Sequence, residues 1–528
     1  MSDSRALFFS GGTALNSIIS HLKGSLSDIT YVLPISDNGG STAEIVRVTG
    51  GPAIGDIRSR LIRLADETTE ENRAVQALLQ YRLSACAGVG VPHPKHEWLD
   101  IVDGSHVLWK GISETYKETI RMFLVHFNTE VMRSQHNHGE MRKLKPFDWS
   151  NGSVGNFFFS GARMFFNSLE TAIFWFSRVS EIPRKTFIAP AISSNKEINI
   201  GAELTDGTCI LGQNTISHPG RFTNPNDIQN GGNIVDKEDE GAPLQSPIKR
   251  IFYLNEDGHE IFLSANPEVI KKLREERAIV YSMGSLYTSI VPCLILNGVG
   301  EAIQENRCNK ILVLNGYPDR ETLGMKGADY VTAIVNALNR GQTKKALKNG
   351  VKDYLTHVIY ARDSEISIEK EKFQQWGVHM VEWSTRESFL RKVAASLECL
   401  ILSRTTREQA MGKNSFIQKL LSNKKSRSNE TSPIASPIVS PTTSPIVKRK
   451  FMRPVEGAES PTRPSMDTTT ERTIRRSSNP TPPLHSDTQL VEFQNICTHF
   501  IIICLILAAL SAGFELTNTP MLLSSFVF

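Results

Sequence analysis

The chain has 528 residues, of which 40% are hydrophobic and 22% are charged, and it carries a formal net charge of +4. This balance is typical of a globular protein large enough to bury a substantial core. The basic excess lies in residues 403–490, which hold 15 Lys and Arg against 7 Asp and Glu, so residues 1–402 are nearly neutral. A nearly neutral body argues against nucleic acid as a partner.

The seven cysteines are scattered along the chain, and none forms a Cys-x-x-Cys pair. Such usage predicts reduced thiols rather than a disulfide framework or a zinc site. The short apolar run after Arg5 stops at Gly11, which is too early for a secretory signal. A cytoplasmic protein is therefore expected.

The first motif is a glycine turn at the end of a short apolar run. Residues 6–9 are Ala-Leu-Phe-Phe, and the turn that follows contains Gly11, Gly12 and Thr13. Apolar residues then recur at helical spacing, so the segment predicts a strand, a turn and a helix. Adjacent glycines let a backbone approach a ligand closely, and a helix start offers free N–H groups to phosphate. A purely structural turn explains the same residues equally well.

The second motif follows a strand that is predicted by the β-branched and aromatic residues at 29–35. It reads Asp37-Asn38-Gly39-Gly40-Ser41. Ligands of open α/β sheets bind beyond the carboxyl ends of the strands, so Asp37 is placed to meet a ribose hydroxyl or a phosphate-bound magnesium ion. The alternative is an Asn-Gly turn followed by a helix cap.

A third glycine turn, Gly55-Asp56-Ile57-Arg58, opens another predicted helix. Asp56 either stabilises the N-terminus of this helix through its negative charge or joins Asp37 in holding a metal ion. Arg58 is a candidate phosphate clamp, because a guanidinium can bond two phosphate oxygens at once.

Two later helix starts carry further candidates for ligand binding. Asn156 opens an apolar helix predicted over residues 157–176, where it either bonds a base or phosphate or simply caps the helix. A strand predicted at residues 278–281 is followed by a helix start with several small and hydroxyl residues, and the helix is expected to continue over residues 290–296. A diphosphate would be bonded there, although a well-capped helix explains the same pattern. These residues are Gly284, Ser285, Thr288 and Ser289.

The rest of the body alternates predicted strands and helices, after a mostly helical region at residues 67–150. Alternation of this kind predicts an α/β fold with a Rossmann-like, doubly wound and mostly parallel sheet under a helical cover. Residues 1–402 are therefore predicted to form one nucleotide-binding domain. The further strands are expected at residues 185–190, 198–211, 248–254, 310–315, 357–360 and 378–381, with a hairpin turn at Thr205-Asp206-Gly207.

The sequence changes character at Ser403. Residues 403–490 contain five Ser-Pro pairs and few large apolar side chains, so burial cannot offset the entropy of ordering and a disordered tail is expected. The Ser-Pro pairs are candidate targets of kinases that regulate the body, and an unregulated tail is equally compatible with them.

The last segment, residues 491–528, includes 15 residues without a charge from Phe500 to Phe514. A helical membrane span needs about 20 apolar residues, so membrane association is not expected unless residues 496–514 act as an anchor. A non-native C-terminus explains the segment as well.

Taken in order, the motifs resemble the 2-phospho-L-lactate transferase (CofD-like) family, and more closely its gluconeogenesis-factor branch. The resemblance runs from about residue 6 to about residue 400. It implies a Rossmann-like fold that binds a nucleoside diphosphate conjugate. In the transferase branch, a phospholactyl group moves from a guanosine diphosphate conjugate to a deazaflavin, with magnesium. In the gluconeogenesis-factor branch, the site holds UDP-sugars and the protein regulates carbon or cell-wall metabolism.

Two positions depart from the family pattern. Ala14 stands where the family commonly has glycine, and Asn38 stands where a second aspartate is frequent. The loss of a carboxylate weakens metal-dependent transfer more than nucleotide binding. The first hypothesis is therefore a regulator that binds a UDP-sugar, and the alternative is an Mg²⁺-dependent transferase in which Asp37 and Asp56 hold the metal and Arg58 steadies the charge. A homo-oligomer is compatible with either.

Overall fold

The computed structural model describes residues 5–22, 26, 28–37, 39–85, 93–138, 145–217, 243–255, 257–341, 350–383, 395–397 and 399–401. These residues belong to the first of two compact units, Met1–Thr431. Asn38, the predicted tail at 403–490 and the apolar segment at 491–528 lie outside them. Within the described ranges, no helix has both the length and the apolar character needed to cross a membrane.

Strands and helices alternate over residues 5–49 and again over residues 267–383, whereas the elements from residue 55 to residue 179 are all helices. The strands are β1 (Arg5–Phe9), β2 (Asp28–Leu33), β3 (Thr186–Pro190), β4 (Asn199–Leu204), β5 (Cys209–Leu211), β6 (Ile248–Leu254), β7 (Glu260–Ile261), β8 (Ala278–Tyr281), β9 (Asn309–Val313), β10 (His357–Ala361) and β11 (His379–Trp383).

The helices vary from one turn to seven turns in length. They are α1 (Asn16–Leu22), α2 (Ser41–Thr49), α3 (Gly55–Leu64), α4 (Glu70–Gln80), α5 (Pro94–Asp103), α6 (Glu114–His138), α7 (Val154–Phe166), α8 (Leu169–Val179), α9 (Gln213–Ser217), α10 (Pro267–Glu275), α11 (Val291–Leu294), α12 (Val299–Glu305), α13 (Gly327–Arg340), α14 (Val351–Tyr354) and α15 (Lys370–Gln375).

The main sheet has seven strands in the order β11-β10-β9-β8-β1-β2-β3, and every neighbouring pair is parallel. The chain runs outwards from β1 to β3 on one side and from β8 to β11 on the other. The strand order therefore reverses between β1 and β8, where open α/β sheets form their ligand crevice. The predicted α/β class and doubly wound parallel sheet are confirmed.

A second, antiparallel sheet has the order β5-β4-β6-β7. The sequence predicted its longer strands and the turn at Asp206-Gly207, where Gly207 has a φ of 88°, but it did not predict a separate sheet. The sequence of a single strand does not show which sheet that strand joins, because strand pairing depends on the packing of distant segments.

The central strands are buried on both faces. Ala6, Leu7, Phe8 and Phe9 of β1 are all 0% exposed, and this continuous apolar run is typical of parallel strands covered by helices on both sides. The strand that borders the switch point is thus held by burial from Ala6 to Phe9, and the loop that follows it begins from a rigid position.

The helical cover packs most closely where α6 crosses α7. A Cβ at Gly161 would lie 2.1 Å from the carbonyl oxygen of Phe123, so glycine is required for this approach. Phe157 of α7 stacks on Phe127 of α6, with ring centroids 4.8 Å apart, and meets Trp98 edge-on at 4.9 Å. These aromatic contacts anchor α7, whose N-terminus lies at the sheet edge described below.

Two predicted helices were wrong in extent. The helix expected over 157–176 is split into α7 and α8 at Asn167, whose φ of 47° ends α7. The Ser168 hydroxyl then caps α8 by accepting the N–H of Thr171. The helix expected from residue 290 to 296 is a π-helical turn, Leu286–Ile290, followed by the single turn of α11. Pro292 lacks the N–H that a continuous helix would use.

Candidate functional site

A polar cleft of about 920 Å³ lies beyond the carboxyl ends of β1, β2, β8 and β9, at the switch point of the sheet. Thirteen of the residues predicted for the site line this cleft, although they come from five separate segments. Thr288 is not among them, and Asn38 lies outside the described residues. The lining residues are Gly11, Gly12, Thr13, Asp37, Gly39, Gly40, Ser41, Asp56, Arg58, Asn156, Gly284, Ser285 and Ser289.

The loop after β1 is fixed from α3. Asp56 accepts the backbone N–H of Gly12 at 2.8 Å. The guanidinium of Arg60, which is fully buried, donates to the carbonyl of Gly11 at 2.7 Å and to Asn16 Oδ1 at 2.9 Å. The Cζ atom of Arg60 also lies over the Tyr31 ring, 5.1 Å from the ring centroid. The contribution of Arg60 to the shape of the glycine loop was not predicted, because its position in the sequence is also typical of an arginine on a helix surface.

Asp37 and Asp56 form a pair of carboxyl groups in the cleft. Asp37 Oδ1 accepts the N–H of Gly39 at 3.0 Å, whereas Asp56 Oδ2 is buried and receives no hydrogen bond from the described residues. Burial, and after it the neighbouring Asp37 carboxyl, raises the pKa of Asp56 well above its usual value. Two neighbouring carboxyl groups repel each other when both are ionised, so this pair favours a state in which Asp56 holds a proton.

This pair fits a divalent cation in part. A hard cation such as Mg²⁺ prefers carboxylate oxygens and commonly takes its remaining ligands from phosphate and water, and the unpartnered Asp56 Oδ2 is a suitable ligand atom. No cluster of three or more His, Cys, Asp or Glu that could hold a metal occurs in the described part of the chain. Asp37 and Asp56 would therefore hold Mg²⁺ only together with ligand oxygens.

A positively charged corner is built on the first turns of α3 and α7. Arg58 Nε donates to Asn156 Oδ1 at 2.7 Å, and the amide of Asn156 donates to Ser41 Oγ at 2.9 Å. Burial, and next the nearby Arg82 guanidinium, lowers the pKa of Arg58 to about 10, while Asp37 opposes that shift. Arg58 thus remains cationic at neutral pH beside a second cation, an arrangement that attracts phosphate.

The loop after β8 is held by two residues that follow β9. Asn315 accepts the N–H of Gly284 and donates to its carbonyl, both at 2.9 Å. Glu321 accepts the backbone N–H groups of Tyr287 at 2.9 Å and of Thr288 at 3.1 Å. These bonds fix the π-helical turn that carries Ser285 and Ser289 at its ends.

Thr288 faces Glu321 rather than the cleft. Its hydroxyl donates to Glu321 Oε1 at 2.5 Å, and the hydroxyl of Ser217 donates to the same oxygen at 2.5 Å. Burial, and after it the Asp319 carboxyl, raises the pKa of Glu321 to about 7. The role of Glu321 was not predicted from the sequence, because a buried glutamate in a loop cannot be told from a solvated one by sequence alone.

The fold and the cleft together define a Rossmann-like, doubly wound α/β protein with its crevice at the topological switch point. The sequence profile of the family described as "2-phospho-L-lactate transferase CofD" matches residues 7–388. The chain belongs to this family.

Several known proteins are similar to the chain over most of its described body. The uncharacterised protein YNL011C of Saccharomyces cerevisiae is 35% identical over 428 residues, which cover 70% of this chain and 93% of that protein. The gluconeogenesis factor of Halalkalibacterium halodurans is 22% identical, covering 66% of this chain and 79% of that protein. The gluconeogenesis factor of Bacillus subtilis is 24% identical, covering 65% of this chain and 77% of that protein. A crystal structure of a UPF0052 family member from Bacillus halodurans matches with a TM-score of 0.49 and 18% identity, covering 75% of this chain and 99% of that one.

Proposed function

We propose that the protein binds a nucleoside diphosphate conjugate, specifically a UDP-sugar, and acts as a metabolic regulator of the gluconeogenesis-factor type. The observation that carries the proposal is the convergence of separate glycine turns on one cleft that also holds two carboxyl groups and two guanidinium groups. Backbone N–H groups and arginines are the usual partners of a diphosphate. The similarity to gluconeogenesis factors supports the regulatory role.

The dimensions and chemistry of the cleft support a ligand of this size. Its volume of about 920 Å³ lies in the range of about 300 to 1,000 Å³ that is usual for small-molecule sites. The Arg58 and Arg82 corner suits a doubly charged phosphate group, because each guanidinium can bond two oxygens. Ser285 and Ser289 also line the cleft and add hydroxyl groups to it.

A second candidate function is favoured by the carboxyl pair. Asp56 keeps a buried oxygen without a hydrogen bond beside Asp37, which suits a magnesium-dependent transferase acting on a guanosine diphosphate conjugate. Bound Mg²⁺ would supply Lewis-acid stabilisation of charge on the phosphate oxygens. Asp37 and Asp56 would hold it, Arg58 would orient the phosphate through its bond to Asn156, and Gly12 would keep Asp56 in position.

Binding is tested by thermal shift with UDP, UDP-N-acetylglucosamine and GDP, each with and without Mg²⁺. Stabilisation by the UDP-sugar without metal supports the regulator, because ligand binding to the folded state raises its melting temperature. Stabilisation by GDP alone, and only with Mg²⁺, supports the transferase instead. No stabilisation by any of the three contradicts both.

A pair of variants assigns the effect to the cleft. Asp37→Ala is expected to abolish the ligand-induced shift, because Asp37 holds the Gly39 loop and flanks Asp56. Asp103→Ala removes an exposed carboxylate at the end of α5 and is expected to leave the shift unchanged. Equal shifts in both variants would refute the site.

A further inference from the structure

The short helix α9 brings the antiparallel sheet into contact with the cleft. It follows β5 directly, and the Gly212 N–H between the two elements donates to the carbonyl of Ile200 in β4 at 2.8 Å. Gln213, Asn214 and Ser217 of α9 all line the cleft. The second sheet therefore contributes side chains to a cleft that the main sheet forms.

The first part of α9 lies beside the turn that follows β2. A Cβ at Gly39 would lie 3.3 Å from Asn214 Oδ1 and 3.2 Å from Asp37 Oδ1. The side chains of Asn214 and Asp37 thus approach the same point of the turn. Gln213 is the neighbour of Asn214 in the chain, so its side chain starts close to the turn that carries Asp37.

The second part of α9 is bonded to the segment that follows β9. The hydroxyl of Ser217 donates to Glu321 Oε1 at 2.5 Å, and Arg320 Nη1 donates to the carbonyl of Thr215 at 2.9 Å. These bonds fix the backbone of α9 relative to the main sheet. A side chain on a fixed backbone can select a ligand with little loss of entropy on binding.

The side-chain amide of Gln213 is not satisfied within the described part of the protein. Its Oε1 atom is buried and accepts no hydrogen bond from the described residues. A buried acceptor without a donor is costly, and such a group in a folded protein calls for an explanation. The terminal torsion of glutamine is broad, so the amide can turn towards a ligand without breaking a hydrogen bond to Oε1.

We propose that Gln213 is a specificity-determining residue, whose carboxamide binds a hydroxyl group of the ligand, either on the ribose or on the attached sugar. The inference rests on the proposed function, because it takes the ligand to be a nucleoside diphosphate conjugate. A carboxamide donates and accepts hydrogen bonds, and so does a hydroxyl group. The two groups are therefore complementary in either orientation of the amide.

The test is calorimetric titration of the full chain with four ligands, all with Mg²⁺: UDP-N-acetylglucosamine, UDP, 2′,3′-dideoxyuridine diphosphate and inorganic pyrophosphate. Gln213→Met keeps most of the side-chain length and removes the amide. It is expected to weaken UDP-N-acetylglucosamine about three- to tenfold, the size of one hydrogen bond between uncharged groups, and to leave pyrophosphate unchanged. The matched control is Gln374→Met, which changes an exposed glutamine of α15 outside the cleft lining and is expected to change no affinity.

The two uridine nucleotides locate the hydroxyl group. If Gln213→Met weakens UDP by the same factor as UDP-N-acetylglucosamine and spares the dideoxy nucleotide, the ribose carries the hydroxyl. If Gln213→Met leaves UDP unchanged, the attached sugar carries it.

The melting temperature of the ligand-free protein separates a role in binding from a role in folding. Gln213→Met removes a buried acceptor that has no donor among the described residues, so the melting temperature is expected to stay the same or to rise. A lower melting temperature with wild-type affinities would mean that the amide supports the fold and not the ligand.

Three further results would overturn the role of Gln213 while leaving the proposed function intact. They are an unchanged affinity of Gln213→Met for UDP-N-acetylglucosamine, an equal loss of affinity for pyrophosphate, and an equal loss for the dideoxy nucleotide. A wild type that binds none of the four ligands refutes the proposed function, and the role of Gln213 with it.

Discussion

Asp56 Oδ1 accepts the backbone N–H of Gly12 at 2.8 Å, and this bond joins the first turn of α3 to the loop that leaves β1. The approach is possible only because residue 12 has no side chain. A Cβ there would lie 2.5 Å from Asp56 Oδ1 and 2.8 Å from Asp56 Cα. One of those atoms belongs to the backbone, so the contact cannot be relieved by a rotamer change.

Gly12→Ala is therefore expected to separate the loop from α3 and to lower the free energy of unfolding by about 1–3 kcal/mol, as overpacking usually does. Urea unfolding measures the loss. Gly350→Ala is the control, because the nearest atom of the described residues to a Cβ at that position is 3.9 Å away and the φ of Gly350 is −84°. If the two variants are equally stable, the close approach of Gly12 and Asp56 is not a feature of the folded protein.

Asp56→Asn is expected to raise stability and lower ligand affinity together. The folded-state pKa of Asp56 is raised, so its contribution to stability is present when it is protonated and is lost as the pH rises through that pKa. Asparagine remains neutral and can still accept the Gly12 N–H, so the stability gain should grow with pH. Affinity for UDP with Mg²⁺ should fall because a carboxylate is lost.

Urea unfolding at acidic and alkaline pH and calorimetric titration with UDP measure the two effects of Asp56→Asn. Asp103→Asn, on the exposed end of α5, is expected to change neither. A gain in stability that is the same at every pH would show that Asp56 does not titrate differently in the folded and unfolded states.

Glu321→Gln is expected to flatten the dependence of stability on pH. The pKa of Glu321 is raised from its usual value of 4.5 to about 7, so its stabilising contribution is fully present below the lower value and is lost as the pH rises through the higher one. The shift corresponds to an upper limit on the order of 3 kcal/mol. Glutamine resembles the protonated form, and the variant should exceed the wild type in stability at alkaline pH.

The measurement for Glu321→Gln is the melting temperature across the acidic to alkaline range, compared with Glu305→Gln, which changes a carboxylate that is 61% exposed. The control should follow the wild-type curve. A Glu321→Gln curve that is parallel to the wild type would mean that Glu321 is ionised throughout the range.

The sequence predicted the parallel sheet and thirteen of the residues that line the cleft for a definite reason. Asp37 and Gly284 each follow a buried apolar strand, and the carboxyl ends of parallel strands meet at one edge, so local patterns sufficed to place them together. Glu321 could not be placed in this way. Its bonds to Tyr287 and Ser217 join segments that are distant in sequence, and no local spacing reports such contacts.

The break between α7 and α8 illustrates the same limit. The apolar residues on both sides of Asn167 continue one helical pattern, so periodicity favoured a single helix. Asn167 instead adopts a left-handed conformation that ends α7. Asparagine tolerates this conformation better than most residues, but packing decides whether it is used.

Arg60 supports the glycine loop from beneath, and its replacement should destabilise the fold. Its guanidinium is fully buried, donates to the Gly11 carbonyl at 2.7 Å and to Asn16 at 2.9 Å, and has a pKa lowered to about 10 by burial. Arg60→Met keeps much of the volume but leaves the acceptors on Gly11 and Asn16 unpaired, at a cost of about 1–3 kcal/mol for each buried group.

The control is Arg63→Met, which changes an exposed residue on the same helix and should stay within about 0.5 kcal/mol of the wild type in urea unfolding. A loss in Arg60→Met no greater than in Arg63→Met would mean that the loop is held without the guanidinium. If the loss is found, the UDP affinity of Arg60→Met should also fall, because Gly11 and Gly12 would no longer be held against the cleft.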